Sequence, residues 1–266
     1  MSPGAIFGEA WEMYKAHWRT FLPLAFIVYV VLALVSLLLA ILLGWFGILL
    51  GGLVGIVGVF WLQGALVEAV QDVRDGRADL TLGETFQRVR PKLGTLIGAG
   101  LLAGLGIAVG LLLFIVPGIY LLVLWCMIVP VIVLEGAGVM DSFGRSRQLG
   151  RGNGWNIAGV IGLLVLTWIA ANIIVAIALF WIPDDAQGFF QSLVTNTLVV
   201  PFVALALTLM YYTLHGRATA EAAAPPPAPT PPATTPPEPT PPATTPPPAP
   251  PPQGSPPPPA APPPPE

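Results

Sequence analysis

From Phe21 to Val67 the chain carries no Asp, Glu, Lys or Arg, and the same holds from Leu93 to Leu134, from Gly152 to Pro183 and from Ala186 to Gly216. Soluble domains place charge at roughly a quarter of their positions. Here charged residues make up 9% of 266 and apolar residues 55%. Such a chain lacks the polar side chains to cover a soluble globule. A bilayer crossing, by contrast, needs about 20 apolar residues at ~1.5 Å each. The first two charge-free stretches are each long enough for two crossings and the other two for one each. The expected fold class is therefore an all-α membrane protein with six transmembrane helices.

Turn residues divide the two long stretches. Gly44-Trp45-Phe46-Gly47 splits the first and Val116-Pro117-Gly118 the second, where Pro suits a helix start and Gly relaxes the turn. Helices are predicted near 21–43, 46–69, 94–114, 118–134, 155–181 and 189–214. Trp11, Trp18 and Glu12 precede an apolar run too long for the core of a signal peptide, so the first helix is expected to be retained.

The basic residues sort to one side of these helices. Lys15 and Arg19 precede the first; Arg74, Arg77, Arg88, Arg90 and Lys92 lie between the second and third; Arg145, Arg147 and Arg151 lie between the fourth and fifth; Arg217 follows the sixth. The other three connections have none, and the positive-inside rule makes the basic side cytoplasmic. Both termini are then expected in the cytoplasm.

The cytoplasmic segments repeat. Glu9-Ala10-Trp11, Glu84-Thr85-Phe86 and Asp141-Ser142-Phe143 each give an acid, a small residue and an aromatic shortly before an apolar pair of helices. Phe7, Trp11, Tyr14 and Trp18 fall on one face of a helix, and Leu82, Phe86, Val89 and Leu93 repeat that spacing. In the third copy Val139 and Phe143 keep it, while Ser146 and Gly150 do not. The expectation is three helical hairpins, each led by an amphipathic helix in the cytoplasmic headgroup region. The alternative is three chance matches in short, biased segments.

A membrane domain over 1–219 gives way to a different composition over 220–266. Residues 222–266 hold 25 of the 32 prolines, and "PTPPATTPP" occurs at 229–237 and again at 239–247. That tail has no apolar face to bury and is expected to be disordered or polyproline II, either an inert spacer or a docking tail for a protein partner.

Catalytic and cofactor patterns are missing from the sequence. His17 and His215 have no ligand-spaced neighbours, and no phosphate-binding glycine loop occurs. "GRSRQ" at 144–148 lacks the last glycine of a nucleophile elbow. No metal, cofactor or nucleic-acid partner is expected, and the single Cys126 is expected to be a small buried hydrophobe. Glycines at 47, 51 and 55, at 100 and 104, and at 106 and 110 form ridges for close helix packing, with a glycine-lined pore as the alternative. Glu68 and Glu135 sit at the cytoplasmic ends of their helices, expected to pair with nearby arginines or reach headgroup water. Asn172 is expected to bridge helices. Pro130 and Pro201 are candidates to break the fourth and sixth helices.

Residues 117–159, "PGIYLLVLWCMIVPVIVLEGAGVMDSFGRSRQLGRGNGWNIAG", resemble the central segment of the glycerophosphoryl diester phosphodiesterase membrane-domain family of bacterial polytopic proteins. The resemblance is carried by Gly118, Tyr120, Trp125, Pro130, Glu135, Arg145, Ser146, Leu149, Gly152 and Trp155. "MYYTLHGR" at 210–217 is similar to that family's closing aromatic pair, with Thr213 and His215 departing from its pattern. Some members carry a soluble phosphodiesterase barrel; this chain has no room for one and none of its paired His and Glu. The resemblance implies the membrane module without the enzyme.

The expected function is a non-catalytic membrane scaffold or accessory module in lipid or cell-envelope metabolism. A transporter or lipid-handling protein is the second reading. Its cytoplasmic anion or lipid-headgroup site would be drawn from Glu135, Arg145, Arg147 and Arg151, with membrane lipids as partners. A membrane enzyme is the third. A transporter predicts a hydrated cavity around Asn172; a scaffold predicts a dry one.

Overall fold

The structure is a computed structural model, and it describes residues 2–76 and 80–223. Arg77 and the proline-rich tail from residue 224 on lie outside the described residues. The described residues form helices and no strand: α1 Pro3–Ala16, α2 Trp18–Arg74, α3 Leu82–Val89, α4 Leu93–Leu113, α5 Ile115–Trp125, α6 Ile128–Pro130, α7 Val139–Gly150, α8 Gly154–Ala178 and α9 Asp184–Ala223. A 3-10 turn, Arg90–Lys92, joins α3 to α4, and a π turn, Val131–Glu135, extends α6. Among the described residues five stretches are long and apolar enough to cross a membrane: α2, Leu82–Leu113, Ile115–Glu135, α8 and Ala186–Ala220. This fits a multi-pass membrane protein.

With 57 residues, α2 would measure ~86 Å if straight, nearly three times the ~30 Å hydrocarbon core. It is broken at Gly44, whose φ of 56° and ψ of −130° suit glycine and few other residues. Past the break the chain returns alongside itself. A Cβ on Gly47 would overlap the Leu39 carbonyl, one on Gly51 would touch Ser36, and one on Gly58 would meet Leu32. Partner numbers fall as glycine numbers rise, which is antiparallel contact. The predicted ridge is used in part: Gly55 and Gly104 face open space, while Gly100, Gly106 and Gly110 lie against Phe60, Trp125 and Gly118.

The two prolines named as candidate breakers, Pro130 and Pro201, have different outcomes. The helix expected near 118–134 is interrupted at Cys126 and Met127. The cause is Pro130, whose missing N–H leaves the Cys126 carbonyl without its helical donor, one turn before the proline. The helix expected near 189–214 instead runs from Asp184 to Ala223 and carries Pro201 without a break. Its apolar window is 61% buried, so neighbours hold it through one lost hydrogen bond. The helix also passes the expected domain boundary at 219.

Burial separates the centre from the rim. The most apolar stretch of α2, of mean hydropathy 3.2, has no residue buried inside the protein, whereas α9 is enclosed. Phe202, Leu205, Leu209, Met210 and Leu214 of α9 pack with Leu62 and Leu66 of α2, Met127, and Ile157 and Leu164 of α8.

The short helices α3 and α7 pack mainly on long helices that precede them in the chain, and α1 packs on the last two. Thus α3 lies on α2, α7 on α4 and α5, and α1 on α8 and α9. The three contacts share one geometry. Trp11 meets Phe202 edge-on at 6.0 Å and 81°, Phe86 meets Trp61 at 5.4 Å and 82°, and Phe143 meets Trp125 at 4.9 Å and 89°. The small residue before each of these aromatics, Ala10, Thr85 or Ser142, is buried at the contact. Three positions after the aromatic, Tyr14, Val89 and Ser146 are buried too. Tyr14 donates its hydroxyl to the Leu198 carbonyl at 2.9 Å, and Ser146 donates to that of Leu124 at 2.7 Å. Ser146 therefore breaks the apolar spacing while occupying the same buried position, because its hydroxyl finds a backbone acceptor.

Candidate functional site

Glu135 ends the π turn, and Gly136 terminates it in the left-handed region at φ 69°. The carboxylate is thereby delivered to a place where α7 and α9 converge. Arg145 of α7 donates from Nε to both of its oxygens, at 3.0 and 2.8 Å. Tyr211 of α9 donates its hydroxyl to Oε1 at 2.8 Å. The guanidinium also gives Nη1 to Gln148 Oε1 at 3.2 Å and Nη2 to His215 Nδ1 at 3.3 Å. The same Nδ1 stands 3.6 Å from Glu135 Oε1. His215 stacks on the Tyr211 ring, 5.5 Å between centroids. Each guanidinium nitrogen thus serves a different partner on α6's extension, α7 or α9. Arg145 is the arginine that reaches Glu135.

Glu68 pairs with a lysine rather than an arginine. Lys92, at the start of α4, reaches across to Glu68 of α2 at 3.1 Å, with side chains 30% and 8% exposed. The same ammonium donates to the Val133 carbonyl in the π turn. One side chain so ties α2, α4 and the α6 extension together. A third tie places Arg74 over the Tyr212 ring at 3.9 Å. Tyr211 and Tyr212 form the aromatic pair of "MYYTLHGR". The sequence marked the pair, but no spacing rule indicated that the first tyrosine meets Glu135 and the second Arg74.

Asn172 donates to the Trp168 carbonyl of its own helix at 2.9 Å and accepts from Gln191 of α9 at 3.4 Å, so it bridges α8 to α9. Cys126 donates its thiol to the Val123 carbonyl at 3.2 Å. Among the described residues no group of three or more His, Cys, Asp or Glu stands close enough to hold a metal.

Arg147 and Arg151 lie apart from the Glu135 cluster. They line a cleft of about 760 Å³ between α5, the end of α7 and the start of α8, together with Val116, Ile119, Tyr120, Val123 and Trp155. Among the described residues neither arginine has a carboxylate within ion-pair distance. The four residues grouped from the sequence therefore divide into a closed knot, Glu135 with Arg145, and an open pair. No protein-family model, no curated protein and no solved structure matches this chain.

Proposed function

We propose that the chain is a six-crossing membrane scaffold of three hairpins, with both termini in the cytoplasm of a bacterial inner membrane. In this reading it serves as an accessory module in lipid or envelope metabolism and has no catalysis of its own. The resemblance of residues 117–159 to the glycerophosphoryl diester phosphodiesterase membrane-domain family belongs to the same proposal. The observation that carries it is the threefold repeat of one contact: α3 and α7 are each keyed by an edge-on aromatic to the returning arm of the pair before them, and α1 is keyed in the same way to α9. Such a closed set of seats favours a rigid body over one that opens and closes. The antiparallel contacts across Gly44 support counting α2 as two crossings. Highly exposed Trp155, in the first turn of α8, and Trp181, three residues past its end, suit the two headgroup belts. The ionisable groups at helix ends are spent on one another, as Glu68 with Lys92 and Glu135 with Arg145.

The topology is tested by cysteine accessibility in a Cys126→Ala background. Pro117→Cys and Asp185→Cys label from outside, and Ala78→Cys and Gly144→Cys only after the membrane is opened. Outside labelling of Ala78→Cys refutes six crossings. The scaffold role is tested by crosslinking in cells, with and without the segment from residue 224 on. A reproducible partner lost with that segment supports it, and transport of a solute by the purified protein in vesicles refutes it.

The lipid-handling reading is favoured by one observation, the open arginine pair in the α5–α8 cleft.

A further inference from the structure

We propose that the cleft between α5, α7 and α8 binds one anionic phospholipid, its phosphate held by Arg147 and Arg151 and an acyl chain laid along α5. The cleft has two chemically distinct ends. Ser146 touches the Leu124 carbonyl, so Leu124 marks the end of α5 nearest the arginines. From there Val123, Tyr120, Ile119 and Val116 form one stripe of the helix, leading away from the charge. From Val123 to Val116 the stripe covers seven residues of rise, about 10 Å. Its volume of about 760 Å³ lies in the range of specific ligand sites, roughly 300–1,000 Å³.

The polar end is built for a phosphate. Two guanidinium groups face it with no acid partner among the described residues. Arginine grips phosphate through paired N–H donors where lysine offers a point charge. The start of α8 joins them: Gly154, Trp155 and Asn156 line the cleft, and no side chain caps this helix. Its first-turn N–H groups and the positive end of its dipole add to the same field. Trp155 sets the depth, because an indole settles where headgroup meets hydrocarbon. A free anion would leave the apolar stripe unused, and a neutral lipid would leave two arginines unused. An anionic phospholipid uses both.

This inference rests on the membrane reading and is independent of the scaffold role and of the number of crossings, which the labelling experiment decides separately. The full chain is purified, stripped of lipid and titrated in native mass spectrometry with phosphatidylglycerol, phosphatidylcholine and inorganic phosphate. The expected result is one phosphatidylglycerol held at least tenfold more tightly than phosphatidylcholine, with phosphate unable to displace it. Arg147→Gln with Arg151→Gln abolishes the preference. Ile119→Trp fills the stripe and weakens both lipids, leaving the charges in place. Both arginines are exposed, and an unchanged melting temperature for the double variant shows that the fold is intact. Equal phosphatidylglycerol affinity in wild type and double variant overturns the proposal and leaves the pair as a topology signal. Displacement by phosphate alone overturns it in favour of a soluble anion.

Discussion

Replacing Lys92 by methionine tests the interior of the fold most sharply. The change keeps much of the side chain's length and removes its charge. Glu68 is 8% exposed, so its carboxylate then stands nearly dry without a counter-ion, and the Val133 carbonyl loses a donor. Removing one partner of a buried pair costs about 3–5 kcal/mol. The reciprocal change, Glu68→Gln, is milder, because Lys92 is 30% exposed and keeps both water and the carbonyl. A lost charged hydrogen bond of that kind costs about 1.5–3 kcal/mol. The double variant has no stranded carboxylate, so it should recover ~2 kcal/mol relative to the sum of the single changes. At ~2–4 °C per kcal/mol for a chain of this size, Lys92→Met lowers the melting temperature in detergent by roughly 6–20 °C, and Glu68→Gln by less. Equal, additive losses for the two single changes would show that the pair does not form and would refute the reasoning.

Arg145→Lys keeps the charge opposite Glu135 but cannot serve Gln148 and His215 as well, so stability falls by about 1–3 kcal/mol in thermal unfolding; a wild-type melting curve argues against the knot. Gly47→Ala drives a methyl into the Leu39 backbone and costs about 1–3 kcal/mol, whereas Gly55→Ala, with open space around it, stays within ~1 kcal/mol of wild type. Ser142→Leu overfills the buried position beneath Phe143 and loosens α7, read as faster proteolysis near residue 144. Deleting residue 224 onward leaves expression and melting temperature unchanged, because a chain of that composition contributes no apolar face to a core.

Much of the fold was legible because a bilayer writes its constraint in one variable, the absence of charge. The gap from Phe21 to Val67 announced its helices, and Gly44 announced its own break. Helix ends were less legible: α9 runs through Pro201 because neighbours hold it, and no local signal reports neighbours. The Glu135 cluster was half visible. Acid and arginine lie ten residues apart, close enough to suggest a meeting, while Tyr211 and His215 come from a distant segment and needed the fold to bring them in. The repeat of acid, small residue and aromatic was visible as text. Its meaning was not, because the second and third copies pack on the preceding unit and the first on α8 and α9, and pattern alone does not tell which helix a face will find.

That cyclic order has a consequence for biosynthesis. Phe86 can find Trp61 as soon as it leaves the ribosome, and Phe143 can find Trp125, since each partner has already been made. Trp11 and Tyr14 wait for Phe202 and Leu198, about 190 residues later. At about 5–20 residues per second, α1 spends roughly 10–40 s with its aromatic face unseated. Assembly proceeds link by link and locks only when the last helix arrives, so a nascent chain that stalls before α9 carries its own unfinished mark at the N-terminus, open to whatever surveillance reads such faces.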